Sequence, residues 1–214
     1  MVNKIKLLIS NRIYLFNSKR FLNKQKHKNK NMNPTIISNN CVGGVIYHRL
    51  GLKFNSPTIN LWIGGEDYLE FVKNLEYYKN CSVEEVKDTK EPYPVGKIVP
   101  KDNNHRPVLL HFQHYDSFEE AKKKWNERYK RINYDNLFFI WEFYDNKYNK
   151  QLIYEFDNLP VKKAEIIHNR IDGLQNACFI DFGEPNPIAK VFEKDGLSGK
   201  LYLDKFDYIK FLNE

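Results

Sequence analysis

The chain of 214 residues has no acidic residue before Glu66 and is poor in several common residue types. It contains only three cysteines, Cys41, Cys81 and Cys178, and no two of them have C-x-x-C spacing. Such a sparse set is typical of free thiols in a reducing compartment rather than of a disulfide scaffold. No apolar run approaches the roughly 18 residues of a membrane span, and the apolar stretch at residues 7–9 is too short for a secretory signal. We therefore expect a cytoplasmic protein.

Motifs for metals and common cofactors are also missing. The sequence contains no D-x-D, no H-E-x-x-H, no GxGxxG and no P-loop, so it predicts no metal site and no bound cofactor. Arginine is scarce (7 against 27 lysines), and there are only four alanines. This bias is what an AT-rich genome produces, so the lysine and aromatic content is not by itself a sign of function.

Positive charge is concentrated at the N-terminus. Residues 1–33 hold nine Lys or Arg and no acid, whereas residues 34–214 hold 25 basic and 27 acidic residues, a net charge of −2. The body therefore lacks the basic footprint that nucleic-acid binding requires, and we do not expect a nucleic-acid partner. The charge pattern predicts two regions, a basic N-terminal arm with a linker over residues 1–33 and a single domain over residues 34–214.

Within the arm, residues 1–22 have the spacing of an amphipathic helix. Its apolar face contains Ile5, Leu8, Ile9, Ile13 and Phe16. A polar run over residues 23–33 follows as a linker. Two interpretations stay open: the helix attaches to an anionic surface, such as the inner face of a membrane, or to an acidic partner; or it packs on the body.

Strand and helix patterns alternate through the body. The predicted strands cover residues 34–38, 58–63, 93–99, 108–115, 136–143, 164–168 and 177–181. The predicted helices follow the first strand and cover residues 66–78, 117–132, 148–157 and 204–212. This order predicts an α/β fold, a three-layer α/β/α sandwich around a largely parallel sheet. Because the strands at 93–99 and 108–115 are adjacent, they are expected to pair antiparallel and make the sheet mixed.

The 38–44 loop, between the first strand and its helix, is the first candidate site. Paired glycines let the backbone approach a ligand, and the start of the following helix favours an anion, such as a nucleotide, a sugar phosphate or a carboxylate. Cys41 is a candidate nucleophile whose pKa the helix would lower. Alternatively, the two asparagines cap the helix and Cys41 is a small buried residue. The predicted ligand-binding residues are Ser38, Asn39, Asn40, Gly43 and Gly44.

His111 and His114 are candidate general bases because they lie on a strand that runs toward a loop. Residues three apart on a strand point to opposite faces, so the two do not form one metal site. The alternative is that each is a structural histidine with no catalytic role.

Several strings, in the same order along the chain, resemble a bacterial family of unknown function, family 1919, whose members are often described as exopolysaccharide or capsule biosynthesis proteins. They lie at residues 35–44 (TIISNNCVGG), 46–51, 55–58, 67–68, 74–78, 93–96 and 111–122, and at Trp125. The resemblance covers residue 34 to the C-terminus. It implies a three-layer α/β/α fold with a mixed sheet and a role in cell-surface polysaccharide production, but no established reaction.

The sequence leaves two functions open. The first is an enzyme of polysaccharide assembly, a glycosyl or other group transferase, that binds a nucleotide sugar or sugar phosphate at the 38–44 loop and uses His111 or His114 as its base. The second is a non-catalytic accessory protein that docks on an anionic membrane surface or partner through residues 1–33.

Overall fold

A computed structural model describes residues 2–144, 150–184 and 187–214 of the chain. Its helices are α1 (Val2–Lys28), α2 (Val42–Leu50), α3 (Gly65–Lys73), α4 (Leu75–Tyr78), α5 (Phe118–Tyr129), α6 (Lys150–Asp157) and α7 (Tyr208–Asn213). Its strands are β1 (Thr35–Ser38), β2 (Ser82–Glu85), β3 (Val95–Val99), β4 (Val108–His111), β5 (Leu137–Phe143), β6 (Lys163–Ile167) and β7 (Ala177–Phe179).

The central sheet is entirely parallel and has the strand order β1-β5-β6-β7. Ser38 at the end of β1 pairs with Ile140 of β5, and Phe143 at the end of β5 pairs with Ile167 of β6. Because parallel strands end at the same edge, the loop after β1 lies beside the ends of β5 and β6. This edge is where open α/β sheets bind their ligands.

Both faces of the central sheet are buried, as expected for a sheet with helices on each side. On β5, Phe139 and Trp141 face a core shared with α3, α5 and α6. The alternating residues Phe138 and Ile140 face a second core shared with α2 and α7. The period of two along β5 thus places successive side chains in different cores. The predicted α/β class is confirmed.

The antiparallel strands form a second sheet, with the order β2-β3-β4. The predicted antiparallel pairing of the segments 93–99 and 108–115 is correct, with Val95 opposite His111 and Ile98 opposite Val108. However, these strands do not extend the central sheet. Their third partner, β2, was not predicted, because Val83 is its only buried residue and no alternating pattern marks it.

Two predicted elements differ from the structure. The segment 58–63 is not a strand: Asn60 has a positive φ of 64°, which interrupts an extended backbone, and one isolated bridge joins Trp62 to His111. The predicted helix at 66–78 is divided at Asn74 into α3 and α4.

Helix ends follow local capping chemistry. Helix α5 begins after Ser117, whose Oγ accepts a hydrogen bond from the Glu120 N–H, as the sequence predicts. Helix α7 starts four residues later than predicted, after Asp207, whose side chain accepts from the Lys210 N–H. The first two residues of the helix predicted at 148–157 lie outside the described residues, and α6 starts at Lys150.

Helix α1 continues to Lys28 instead of ending at residue 22, so much of the predicted linker is helical. It contacts the body through Tyr14, which is buried, and through Asn17, whose Nδ2 donates to the Leu197 carbonyl over 2.8 Å. Within the described residues, no helix combines the length and the apolar character that crossing a bilayer requires.

Candidate active site

The 38–44 loop lies at the carboxyl edge of the central sheet, but its polar groups bind one another. The Ser38 Oγ donates to the Asn40 carbonyl (2.6 Å) and accepts from the Gly43 N–H (3.0 Å). A Cβ on Gly43 would lie 2.8 Å from that Oγ, so only glycine fits beside Ser38. At Gly44 a Cβ would meet Ile59 at 3.7 Å, an ordinary contact. The Gly43 amide that was predicted to hold a ligand therefore serves to close the turn.

Asn39 extends the pairing between β1 and β5 by means of its side chain. Its Oδ1 accepts from the Glu142 N–H (2.9 Å), and its Nδ2 donates to the Glu142 carbonyl (3.1 Å). These bonds imitate one step of a strand ladder beyond the end of β1, and Asn39 is buried. Asn39 thus fixes the loop to the end of β5, and the prediction that it binds a ligand stays a prediction.

Asn40 connects the same loop to a buried carboxylate. Its Oδ1 accepts from the Val42 N–H (3.1 Å), which satisfies one amide at the start of α2. Its Nδ2 donates to the Glu142 Oε2 (2.5 Å). Asn40 therefore satisfies one amide at the start of α2 although Cys41 occupies the N-cap position, and it also binds Glu142 and is half-buried.

Glu142 and His168 form a buried pair at this edge. Glu142, near the end of β5, is 0% exposed, and His168, directly after β6, is 4% exposed. The Glu142 Oε1 lies 3.2 Å from the His168 Nε2. On the other side of the ring, the His168 Nδ1 lies 3.0 Å from the Ile180 carbonyl oxygen.

The partners of His168 determine where its protons are. A carbonyl oxygen only accepts hydrogen bonds, so the Nδ1 must carry a hydrogen. In a neutral ring the Nε2 would then present a lone pair to a carboxylate oxygen, and the 3.2 Å contact would be repulsive. The pair therefore holds an additional proton between Glu142 and His168. Two arrangements satisfy these partners, an imidazolium facing a carboxylate and a neutral imidazole facing a carboxylic acid, and in both the Asn40 Nδ2 donates to the remaining oxygen.

Cys41 is half-buried at the start of α2, next to this pair. Burial, together with the nearby charge of Glu142, raises the pKa of the Cys41 thiol to about 11. The prediction of a lowered pKa at the helix start is therefore wrong, because desolvation and a neighbouring carboxylate outweigh the helix. At neutral pH Cys41 is a thiol, and a nucleophilic role would require a base to remove its proton.

Aromatic rings flank the imidazole. The ring centroid of Tyr144 lies 5.5 Å from that of His168, and the ring of Phe182 lies at 5.3 Å. These residues come shortly before residues 145–149 and 185–186, which are outside the described part of the chain. The rings exclude water from His168 and strengthen its interaction with Glu142.

The sequence of the chain matches a family of known proteins. A family model described as a domain of unknown function, DUF1919, matches residues 11–213. The chain belongs to this family. The match begins within α1, and therefore earlier than the resemblance that starts at residue 34. A Haemophilus influenzae protein described as an uncharacterized protein is 37% identical over 196 residues, which are 90% of this chain and 91% of the relative.

In this DUF1919 chain the two predicted catalytic histidines lie elsewhere. His111 is on β4, its ring stacked on Trp62 with centroids 3.6 Å apart, and burial lowers the pKa of His111. His114 is exposed on the loop that follows. The histidine that meets the carboxylate at the 38–44 loop is His168. Catalysis by His111 or His114 stays a prediction without a described contact to this edge.

Sequence reasoning missed Glu142 and His168, although both carried a signal. Glu142 is the only charged residue in the apolar run of β5, and His168 directly follows the apolar end of β6. A charge within a strand that is buried on both faces needs a partner. That partner was not identifiable until the pairing of β5 with β6 was known.

Two cavities in the described part of the chain lie away from this site. A cavity of about 500 Å³ lies at the opposite edge of the sheet, at the amino ends of β6 and β7, beside Lys163 and Asn176. Another, of about 480 Å³, lies between α1 and α7. Within residues 2–144, 150–184 and 187–214, no three His, Cys, Asp or Glu side chains are grouped to hold a metal ion.

Proposed function

We propose that this DUF1919 chain is a group-transfer enzyme of cell-surface polysaccharide assembly, acting on an activated sugar at the 38–44 loop. The observation that carries the proposal is the buried pair of Glu142 and His168 beside that loop. The resemblance to proteins described as exopolysaccharide biosynthesis proteins supplies the process. The pair and its surroundings supply the chemistry.

A buried ion pair is a poor way to stabilise a fold, which favours a functional reading. Burial of two charges costs several kcal/mol per ion, and well-packed apolar residues often do as well or better. Here the pair is completed by Asn40 and flanked by aromatic rings at the ligand-binding edge of a parallel sheet.

The chemistry required is the removal of one proton. In the proposed transfer, an acceptor hydroxyl attacks the anomeric carbon of the activated sugar, and the bond from that carbon to the phosphate oxygen breaks. The phosphate leaves with the electron pair, and the proton of the hydroxyl passes to the Glu142 carboxylate, which is 0% exposed and therefore has to be uncovered when the substrate binds. The His168 imidazolium stabilises the carboxylate before the step, and Asn40 holds its orientation.

In this proposal, some residues of the loop maintain its shape and others contact the sugar. Ser38, Asn39 and the Gly43 amide are engaged inside the protein and give the loop its form. Asn40 and Cys41 are half-buried next to Glu142 and are the groups that a sugar would contact. Cys41 then acts as a neutral hydrogen-bonding thiol, consistent with its raised pKa.

The experiment compares variants in a strain that lacks the chain and has lost surface polysaccharide. Glu142→Gln and His168→Gln should restore little polymer, whereas Glu165→Gln, a change at another buried carboxyl of the same sheet, should restore the wild-type amount. Asn40→Ala should give an intermediate amount. Circular dichroism of each purified variant at the growth temperature establishes that it is folded.

Binding of the donor is measured separately by calorimetry with nucleotide sugars and with sugar phosphates. We expect one of these classes to bind the wild type and Glu142→Gln with similar affinity, because the proposed role of Glu142 is in the transfer step. If loss of the chain leaves the surface polysaccharide unchanged, or if folded Glu142→Gln restores it fully, the proposal is wrong. Full activity in both variants of the pair with loss in His111→Asn would instead assign the base to His111.

A further inference from the structure

Helix α1 turns its apolar side chains toward solvent. Seven large apolar residues between positions 5 and 16 are 43–65% exposed. They are Ile5, Leu7, Leu8, Ile9, Ile13, Leu15 and Phe16. The face that the sequence predicts as the apolar side of an amphipathic helix is therefore not the side that packs on the body. A helix whose only role was packing would have the opposite orientation.

The side of α1 that does face the body is held largely by polar contacts. The Asn11 Oδ1 accepts from the Lys194 Nζ over 3.0 Å, and the Asn17 Nδ2 donates to the Leu197 carbonyl over 2.8 Å. Tyr14 is buried between them, and its hydroxyl donates to the Lys200 carbonyl over 3.4 Å. These contacts fix the rotation of the helix, so the apolar face stays exposed while α1 is docked.

The charges on α1 indicate what kind of partner binds to its exposed apolar face. The exposed Lys and Arg residues along the helix are Lys6, Arg12, Lys19, Arg20, Lys24, Lys26 and Lys28. No acidic residue occurs in the first 65 positions to balance them. A second copy of α1 would bring two sets of like charges together, which is unfavourable. An anionic lipid surface instead accepts both the apolar side chains and the bases, including Arg12, which lies one turn from Leu8 and from Phe16 on the same face.

We infer that α1 lies flat on an anionic membrane surface, with its apolar residues between positions 5 and 16 at the boundary of headgroups and acyl chains. Exposed Phe16, Ile9 and Ile13 insert, and the flanking bases contact lipid phosphates. The body, which α1 contacts through Tyr14 and Asn17, is then held at the membrane. This inference does not depend on the proposed function, because it concerns a separate surface.

Sedimentation of the full-length protein with vesicles tests the inference. The protein should sediment with phosphatidylcholine vesicles that contain about 30% phosphatidylglycerol and not with phosphatidylcholine alone. The double variant Ile9→Glu/Phe16→Glu should bind roughly tenfold or more weakly, since it removes two inserting side chains and adds two acids. Raising the salt from about 0.1 M to about 0.5 M should also weaken binding.

The matched control is Ile188→Glu, because Ile188 is 64% exposed but lies outside α1. This variant should bind the anionic vesicles nearly as well as the wild type. Equal binding by Ile9→Glu/Phe16→Glu, or an absence of binding by the wild type, would overturn the inference. So would a wild-type dimer in solution that this double variant converts to a monomer, since the face would then belong to a second copy.

Discussion

Two carboxylic acids on neighbouring strands of the central sheet are equally buried but have opposite surroundings. Glu142 on β5 and Glu165 on β6 are both 0% exposed. Glu142 meets a histidine ring and an asparagine amide. Glu165 faces the other core, and neither of its oxygens has a hydrogen-bond partner among the described residues. Trp141 lies opposite Glu165 in the strand pairing, and its Nε1 also has no partner among the described residues.

This difference in partners distinguishes the two acids. Burial, with the charge of Asp157 as the next contribution, raises the pKa of Glu165 to about 8, so this acid is neutral at pH 7. Each oxygen of Glu142 has a hydrogen-bonding partner, and Glu142 shares a proton with one of them, His168. Equal burial therefore yields a neutral core acid in one place and a candidate acid–base group in the other, and the partners make the distinction.

Removal of the charge at position 142 should have the largest effect on stability. Glu142→Gln leaves the His168 imidazolium buried without its counter-charge, so the free energy of unfolding should fall by about 3–5 kcal/mol. Urea denaturation of the wild type and the variant at pH 7 measures this. A loss below about 1 kcal/mol would show that the pair is not an ion pair in the folded protein.

The same change on β6, Glu165→Gln, should alter how the stability of the protein depends on pH. The folded protein holds the Glu165 proton up to a pKa of about 8, whereas the unfolded chain releases it near 4.5, so wild-type stability is highest below pH 4.5 for this group and declines as pH rises to about 8. Between pH 5 and pH 7 the decline should be about 2 kcal/mol. Glu165→Gln cannot ionise and should lose this decline.

Denaturation curves at several pH values, each on wild type and Glu165→Gln, measure the difference. The free energy of unfolding of the variant relative to wild type should rise with pH. A difference that is constant from pH 5 to pH 8 would mean that Glu165 is ionised in the folded protein and has a partner, which would remove the contrast with Glu142.

The amide of Asn40 should contribute less than the histidine does. Asn40→Ala removes one donor to a charged carboxylate oxygen and one acceptor for the Val42 N–H, so we expect a loss of about 1–3 kcal/mol. Asn74→Ala is the matched control, because the Asn74 Nδ2 also donates to a carboxylate, the Glu70 Oε1, in a half-exposed setting. That control should lose less than about 1 kcal/mol, and equal losses would contradict a buried charge on Glu142.

Much of the fold was predictable because its signals are local. The apolar run of β5, the Ser117 cap of α5 and the β1–loop–α2 unit lie within short stretches of sequence. Strand β2 was missed and the segment 58–63 was wrongly predicted as a strand because the local sequence signal is absent in the first and misleading in the second. β2 lacks alternation, and residues 58–63 have the composition of a strand but contain Asn60 in the left-handed region. Tertiary contacts outweighed the local pattern there.

The candidate site was only half predictable. Its loop was found because glycines and asparagines after a β-branched strand indicate a turn at a strand end. Its acid–base pair was not, because Asn40 and Glu142 are 102 residues apart, and Glu142 and His168 are 26 apart. Such contacts are set by strand order, which the spacing of residues does not reveal. Of the histidines that were proposed, His111 lies on a strand of the other sheet and His114 on the loop that follows that strand.

The smallest expected effect concerns the reactivity of Cys41. Its pKa of about 11 comes first from burial and second from Glu142, so removal of the carboxylate should lower the pKa only in part. We expect iodoacetamide to label Cys41 several-fold faster at pH 8 in Glu142→Gln than in wild type, because more of the thiol is ionised. Mass spectrometry of the digested protein measures labelling at each cysteine.

Cys178 provides the internal control for this experiment. Burial raises the pKa of Cys178 as well, but Glu142 is not among the causes. If Glu142→Gln merely opened the protein, both cysteines would react faster, whereas a change in local charge accelerates Cys41 alone. Unchanged labelling of Cys41 would mean that the proton shared with His168 already cancels the charge of Glu142. The pair would then be a neutral carboxylic acid and a neutral imidazole. Glu142 would be uncharged, as Glu165 is, in spite of its hydrogen-bond partners.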